Sequence, residues 1–242
     1  PNIIFLTKIK KMILITGANG GLGSFLAKKF PNSIKLTREN NVSTILKSGI
    51  NFDLIIHCAA SISHAGWDTV NYQYFDDNIL LTREVMKIPH KKFVHISSID
   101  VKRDSIYGIS KRISERIVLS LSKDSLVIRP TGLIGNEMKT NTFKKIHLGM
   151  PIALTSNSLM NYVTYDDIFN LINSNVNGVI TLSASSNISM MEVAEVFSQN
   201  IEYGDIHYDI DINEEDLKLR NGYDLIKTSE DNILNYIAKY HE

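Results

Sequence analysis

The chain has 242 residues, and its 26 lysines and arginines balance its 26 aspartates and glutamates. A chain without net charge has no overall field that would draw it to nucleic acid or to an anionic membrane surface, so we expect neither partner. Its one cysteine, Cys58, excludes an internal disulfide framework and fits a reducing compartment. No apolar run approaches the roughly 18 residues of a membrane span. We therefore expect a cytoplasmic protein with one large domain, or one domain and a small appendage.

Residues 1–11 precede the first predicted strand, which begins near Met12. We expect them to form an extension outside the fold. A secretory signal peptide is the alternative, but the apolar stretch at 3–6 is too short for one and its basic residues follow rather than precede it.

A glycine-rich turn follows the first predicted strand at once. Gly17, Gly20 and Gly23 have the spacing GxxGxxG, which provides a tight turn, close approach of the backbone to a pyrophosphate, and close packing of helix against strand. The N-terminus of the following helix suits a phosphate because its N–H groups are free and its dipole end is positive. The alternative is an ordinary strand-to-helix turn, since three glycines alone are a weak signal.

Strands and helices alternate through the first half of the chain. Further strands are predicted at 34–37, 53–58, 93–96 and 126–128. Helical apolar spacing lies between them, most clearly at 74–87 and 105–122. This alternation predicts an α/β fold, a Rossmann-type doubly wound parallel sheet whose ligands bind at the carboxyl ends of the strands.

The regular alternation of predicted strands and helices ends after residue 131. The sequence predicts helices at 137–148 and 164–172, a strand at 178–182, a capping box at Ser189 to Glu192, and a last helix at 228–240. We expect residues 12–135 to form the dinucleotide-binding domain. Residues 136–242 would then form a small substrate-binding part that packs on it and walls a cleft.

Tyr107 and Lys111 are the strongest candidates for chemistry. They stand four residues apart on the predicted helix 105–122, and therefore side by side. A tyrosine can exchange a proton with a carbonyl or alcohol when its pKa is lowered, and we expect the Lys111 ammonium to lower it. Ser98, at the end of the neighbouring strand, could orient the same oxygen. The alternative is a surface pair.

The same helix carries an apolar stripe that we expect to be buried, with Tyr107 and Lys111 at its edge. Its members lie three or four residues apart, and they are Ile106, Ile109, Ile113, Ile117 and Leu121.

Other residue types give weaker signals. His57 and His95 fall inside predicted strands, and none of the seven histidines has metal-ligand spacing, so we expect no metal site. Cys58 is better explained as a small buried residue than as a nucleophile. His64 and Trp67 follow the third strand, where a loop could border the active site.

Taken together, these motifs resemble the extended short-chain dehydrogenase/reductase family, which includes nucleotide-sugar epimerases, dehydratases and reductases. The resemblance covers residues 12 to about 170. The matching residues are the glycine turn, Asp53, residues 57–60, Asn78, Ser97, Ser98, Tyr107, Lys111, residues 129–132 and residues 162–168.

The resemblance implies an enzyme that binds NAD or NADP and acts on a small molecule, possibly a nucleotide sugar. It implies Ser98, Tyr107 and Lys111 as catalytic residues and Asn78 as a helper in the proton relay. Cofactor contacts would come from Gly17, Asn19, Gly20, Gly21, Leu22, Gly23, Arg38, Cys58, Ala59, Ala60, Ser61, Tyr107, Lys111, Pro130 and Thr131. Family members often pair through the helices beside the sheet, so a homodimer is a further expectation.

Three features depart from the family pattern. Only residues 99–106 separate Ser98 from Tyr107, so a loop that normally shapes the substrate pocket is short. Ile99 and Asp100 stand where sugar dehydratases carry two acidic residues, which makes dehydration a minor alternative. The C-terminal part is also short, which disfavours a large pocket.

The choice of cofactor depends on the end of the second strand. A carboxylate there bonds the ribose of NAD, whereas an arginine accommodates the 2′-phosphate of NADP. The chain has Thr37 and then Arg38, which favours NADP, while Glu39 leaves NAD as the second choice. The sequence thus predicts an NAD(P)-dependent reductase or epimerase. A dinucleotide-binding sensor or scaffold without turnover is the alternative.

Overall fold

The computed structural model describes residues 11–62, 72–213, 216 and 227–240. His64 and Trp67 lie outside the described residues. The helices are α1 (Gly21–Lys29), α2 (Val42–Lys47), α3 (Leu81–Val85), α4 (Ile106–Leu121), α5 (Thr142–His147), α6 (Tyr165–Asn173), α7 (Met190–Val196) and α8 (Ser229–Tyr240). A π-helix at Tyr74–Leu80 runs into α3, and a 3-10 turn occupies Ile99–Lys102.

Six parallel strands form the central sheet, which confirms the predicted Rossmann-type fold. They are β1 (Ile13–Thr16), β2 (Ile34–Leu36), β3 (Phe52–His57), β4 (His90–Ile96), β5 (Ser125–Pro130) and β10 (Gly178–Leu182), in the order β10-β5-β4-β3-β1-β2. The chain leaves β1 for β2 on one side and returns for β3 on the other. The switch point where such sheets bind ligands therefore lies between β1 and β3.

Shorter strands form two-stranded pairs outside the central sheet. They are β6 (Gly132–Ile134), β7 (Ile152–Leu154), β8 (Leu159–Met160), β9 (Tyr162–Thr164), β11 (Ile188–Ser189) and β12 (Tyr203–Ile206). β6 pairs with β9, β7 with β12 and β8 with β11.

Helices cover both faces of the central sheet. One core cluster joins the strands to α1 and α6 through residues such as Leu26 and Ile168. A second joins the opposite face to α2, α3 and α4 through Ile45, Val85 and Val118. Strands buried on both faces explain why β3 and β4 end in continuous apolar runs.

The C-terminal part has its own core and also contributes to the sheet. Phe143, Tyr162 and Ile233 are among the buried residues that join α5, β9 and α8. However, β10 pairs with β5 through five residues, and α6 packs on the sheet beside α1. The division between residues 135 and 136 stays a prediction.

The expected burial of the α4 isoleucine stripe is wrong. Ile109 and Ile113 are each 41% exposed and Leu121 is 62% exposed. The buried face of α4 instead carries Tyr107, Gly108, Ser110, Lys111, Ser114, Glu115 and Val118. The helix can turn its polar face inward because those polar side chains find partners in the sheet, as described below.

Among the described residues, no helix is both long enough and apolar enough to cross a membrane.

Candidate active site

The glycine turn between β1 and α1 is too tight for side chains at two of its positions. Gly17 has φ of 66°, and a Cβ there would lie 2.8 Å from the backbone N of Ala59. A Cβ on Gly23 would lie 2.2 Å from the carbonyl O of Gly17. The turn therefore packs against both its own helix and the segment that follows β3, as the spacing predicts.

The residues of this turn fit the phosphates of a dinucleotide. α1 begins after Gly20, and no side chain caps its first N–H groups. Uncapped N–H groups and a helix dipole are what a pyrophosphate requires. Asn19, Gly21 and Leu22 belong to the same turn or to the first residues of α1.

The other predicted cofactor residues lie at the same edge of the sheet, because all six strands are parallel. Cys58, Ala59, Ala60 and Ser61 follow β3, while Pro130 ends β5 and Thr131 follows it. Burial raises the pKa of Cys58 to about 12, so this thiol is a poor nucleophile. Thr131 donates a hydrogen bond to the Oδ1 of Asn161 over 2.9 Å, which ties the end of β5 to the C-terminal part.

Arg38 lies two residues beyond β2 and is almost fully exposed. Its Nη2 atom is 3.8 Å from the Oδ2 of Asp77, which itself accepts a hydrogen bond from Ser61 over 2.6 Å. Because β2 and β3 lie on opposite sides of β1, this contact joins segments on either side of the glycine turn. An arginine placed here can reach a phosphate on the adenosine side of a dinucleotide.

Asn78 is buried in the π-helix, a type of helix turn that is frequent at functional sites. Its Oδ1 accepts from the N–H of Ser61 over 2.8 Å, and its Nδ2 donates to the carbonyl of Ser61 over 3.1 Å and to the Oγ of Ser110 over 2.9 Å. Asn78 therefore holds the segment after β3 against α4. Its role in a proton relay stays a prediction.

Ser98 and Tyr107 lie together at the carboxyl end of β4. Tyr107 is buried, and the Ser98 hydroxyl lies near enough to its phenol to affect its pKa. Burial raises the pKa of Tyr107 well above its ordinary value, the charge of Asp100 raises it further, and the Ser98 hydroxyl lowers it. We expected a lowered pKa. The structure gives the opposite direction because a buried phenolate loses the solvation of water.

Lys111 is buried but is turned toward the sheet. Its Nζ atom donates to the carbonyl O of Ile96 over 2.8 Å, two residues before Ser98. Burial lowers the pKa of Lys111 to about 8, while the Glu115 carboxylate opposes this. Lys111 is not among the groups that shift the pKa of Tyr107, which are Asp100, Ser98 and Tyr74. Its predicted effect on Tyr107 is therefore not seen here.

Sequence reasoning missed Glu115, which is buried beside Lys111. Its carboxylate accepts two hydrogen bonds from Arg129 of β5, over 3.0 and 2.7 Å, and one from Ser97 over 2.5 Å. This carboxylate joins α4 to β5 and to the end of β4. The four-residue spacing from Lys111 was a signal that could have found it.

The two strand histidines are buried, and burial lowers the pKa of both, that of His57 to about 3. His57 bonds the hydroxyls of Thr16 and Thr82 over 2.7 and 2.9 Å, and His95 bonds the Ser114 hydroxyl over 3.0 Å. Within the described ranges, no three histidine, cysteine or acidic side chains are grouped to hold a metal ion.

A cavity of about 250 Å³ opens between the 3-10 turn and the segment that carries Tyr208. It is lined by Ile99, Asp100, Lys102, Arg103, Tyr208, Asp209 and Asp211. Its lining joins residues about a hundred positions apart, so sequence reasoning missed it too.

The fold matches solved structures of sugar-nucleotide enzymes at low sequence identity. A dTDP-4-dehydrorhamnose reductase from Bacillus anthracis, in complex with NADP, is 21% identical, with 96% of this chain and 100% of that chain covered and a TM-score of 0.75. MoeE5, in complex with UDP-glucuronic acid and NAD, is 16% identical, with 94% and 98% covered and a TM-score of 0.76. The Helicobacter pylori ADP-L-glycero-D-manno-heptose-6-epimerase is 18% identical, with 96% of both chains covered and a TM-score of 0.74.

A family model gives the relationship directly. It matches residues 31–170, which include Asn78, Ser98, Tyr107 and Lys111. The match spans more than half of the chain and confirms the resemblance predicted from the motifs. The chain belongs to the NAD dependent epimerase/dehydratase family.

Proposed function

We propose that the chain is an NAD(P)-dependent oxidoreductase that acts on a carbonyl or secondary alcohol of a nucleotide-sugar-like substrate. The observation that carries this proposal is the proximity of the Tyr107 phenol and the Ser98 hydroxyl, at the same edge of the sheet as the glycine turn. The ligands of similar proteins support it, since one was solved with NADP and another with UDP-glucuronic acid and NAD.

The cofactor would be held by the glycine turn and by Lys111. The N–H groups at the start of α1 would bind the pyrophosphate, and the buried Lys111 ammonium would bond a ribose hydroxyl. When bound, the nicotinamide supplies the group that accepts or gives a hydride. With a pKa of about 8, Lys111 is mostly charged at neutral pH, so it can donate such bonds.

Tyr107 would act as the general acid of carbonyl reduction. Because its pKa is raised by burial, the phenol carries its proton at neutral pH and can pass it to a carbonyl oxygen as that carbon is reduced. Ser98, which lies beside Tyr107, would bond the same oxygen. Epimerisation would use the same residues, but Tyr107 would start as the phenolate, accept the proton of the alcohol and then return it.

NADP is the proposed cofactor of choice, with NAD second. Arg38 is exposed next to the end of β2, and its guanidinium lies 3.8 Å from the carboxylate of Asp77. We expect kcat/KM to be higher with NADP. A higher kcat/KM with NAD would contradict this assignment and point to Glu39 instead.

The central experiment measures the release of oxidised or reduced cofactor during turnover with a panel of nucleotide sugars. Net oxidation of the reduced cofactor would identify a reductase, whereas conversion of substrate without net redox change would identify an epimerase. Tyr107→Phe should bind cofactor as the wild type does and lose turnover by about 100-fold or more, since proton transfer contributes on that order.

A catalytically silent sensor or scaffold that binds NAD(P) is the alternative. The short segment between Ser98 and Tyr107 favours it. A protein that binds cofactor tightly, with no turnover in the wild type for Tyr107→Phe to remove, would support it over the enzyme.

We also propose that two copies of the chain pair through α4. Ile109, Ile113 and Leu121 are exposed on one face of this helix. A shallow depression of about 410 Å³ lies on the same helix, lined by Arg112, Ile113, Arg116, Ile117 and Ser120. Apolar side chains repeated along an outward helix face are typical of a protein interface.

A further inference from the structure

The carboxylate of Asp100 holds the Ser98 hydroxyl. The Ser98 Oγ donates toward the Asp100 Oδ2 over 3.3 Å, and the backbone N–H of Asp100 donates to the Ser98 Oγ over 3.1 Å. Ser98, which lies beside the Tyr107 phenol, is thus fixed by both the side chain and the backbone of Asp100.

The other oxygen of Asp100 is held by the C-terminal part and by the neighbouring Arg103. Its Oδ1 accepts from the Tyr208 hydroxyl over 3.2 Å and from the Arg103 Nε over 3.1 Å. The Arg103 guanidinium also lies 4.1 Å from the centre of the Tyr208 ring and donates to the carbonyl of Asp209 over 2.6 Å. A chain of direct contacts therefore runs from Tyr208 through Asp100 to Ser98.

The turn that carries Asp100 is packed directly on the helix that carries Tyr107. A Cβ on Gly108 would lie 2.4 Å from the carbonyl O of Asp100 and 2.5 Å from that of Arg103. With no side chain at Gly108, the backbone of the turn touches α4 next to Tyr107. A shift of the 3-10 turn against α4 would therefore change the distance between Ser98, which precedes the turn, and the Tyr107 phenol on α4.

We propose that Asp100 is a positioning residue of the reaction, through which the segment around Tyr208 sets the orientation of the Ser98 hydroxyl beside Tyr107. This proposal rests on the proposed function, which assigns Ser98 and Tyr107 to the reacting oxygen. The same residues line the 250 Å³ cavity, so a substrate that enters it would contact Asp100, Arg103 and Tyr208.

The charge of Asp100 gives the proposal a signature in pH. The groups that act on Tyr107 are Asp100, the Ser98 hydroxyl and Tyr74 of the π-helix, and the Asp100 charge raises the pKa of the phenol. The groups that face Asp100 are Arg103, Tyr208 and Tyr107, while Lys102 of the same turn is bound to Asp216. Removing the charge should therefore lower the pKa of Tyr107, and activity that needs the protonated phenol should be lost at a lower pH.

The test is Asp100→Asn, with Asp104→Asn as the matched control. Asp104 lies just before α4, is 92% exposed and contacts Arg112 only at the surface. For Asp100→Asn we expect kcat to fall about 30-fold with KM within about threefold, and the alkaline limb of the kcat profile to move to lower pH. Tyr208→Phe should lower kcat about fivefold, because it removes one bond to the carboxylate. Asp104→Asn should match the wild type.

Two results would overturn the proposal while leaving the proposed function intact. One is an Asp100→Asn enzyme with the kcat and pH profile of the Asp104→Asn control. The other is a lower kcat with an unmoved alkaline limb and no recovery in Asp100→Glu, which would indicate a structural role alone.

A second measurement needs neither cofactor nor turnover. The ultraviolet absorbance of phenolate, compared with and without Tyr107→Phe, reports the ionisation of Tyr107 in the ligand-free protein. We expect it at lower pH in Asp100→Asn, and an unchanged ionisation would overturn the proposal. If the wild type has no turnover with any substrate, the proposed function fails, and this titration still decides whether Asp100 acts on Tyr107.

Discussion

The face of α4 that lies on the sheet carries tyrosine, lysine, serine and glutamate, whereas the face turned away from the sheet carries isoleucine and leucine. On an ordinary surface helix the apolar side chains would face the sheet and the polar ones would face solvent. The inward polar side chains are stable there because they have partners: Arg129 and Ser97 bond Glu115, and the Ile96 carbonyl bonds Lys111. The inward face of this helix thus delivers polar groups to the sheet edge, and its apolar outward face is the one that we propose as the interface between two copies.

The largest effect should come from the inward face. Glu115→Ala removes the buried carboxylate that holds the Arg129 guanidinium, whose side chain is only 20% exposed, and we expect it to lower the free energy of unfolding by about 3 kcal/mol. Urea unfolding measures this. Glu84→Ala is the control, because the pairs that Glu84 of α3 makes with Arg83 and Lys87 lie at the surface, so its stability should stay close to that of the wild type. Equal losses in the two variants would contradict the difference between the faces.

An intermediate effect should appear as a dependence of stability on pH. Folding lowers the pKa of Lys111 to about 8 from 10.5, so between these values the unfolded chain binds more protons than the folded protein. The free energy of unfolding of the wild type should therefore rise with pH relative to Lys111→Met, by about 2 kcal/mol between roughly pH 7 and pH 9.5.

Lys87→Met serves as the control for this titration, since Lys87 is exposed on the surface beside α3. Its difference from the wild type should stay flat over the same range. A flat difference for Lys111→Met as well would mean that Lys111 is not buried in solution.

The smallest effect on folding should come from the outward face. Ile113→Glu places a charge where the side chain is already 41% exposed, so we expect the stability of the monomer to change by less than about 0.5 kcal/mol. Sedimentation should nevertheless shift from dimer to monomer, because the charge would be buried in the proposed interface.

Leu234→Glu on α8 is the matched control for that shift, as Leu234 is also an exposed apolar residue on a helix. It should leave the dimer intact. A wild type that sediments as a monomer at all concentrations would contradict the proposed pairing.

The fold could be predicted because its signals are local. Alternating strands and helices, the glycine spacing of Gly17, Gly20 and Gly23, and the four-residue spacing of Tyr107 and Lys111 all lie within short windows of sequence. Each of these patterns is imposed by local backbone geometry, so it can be recognised from neighbouring residues alone.

The burial of α4 and the surroundings of Ser98 could not be predicted because they depend on distant partners. Periodicity treats isoleucine as buried and glutamate as exposed, but Glu115 meets Arg129 across a strand and Asp100 meets Tyr208 across 108 positions. The direction of the Tyr107 pKa shift was missed for the same reason, since the extent of burial follows from packing rather than spacing.

Gly108 has a consequence for anyone who engineers this protein for heat resistance. Glycine inside a helix is usually a safe site for alanine, with a gain of up to about 1 kcal/mol. Here the added methyl group would collide with two backbone carbonyls of the neighbouring turn. A design that replaces helical glycines with alanine should therefore leave Gly108 unchanged, because the clash would displace the turn that carries Asp100.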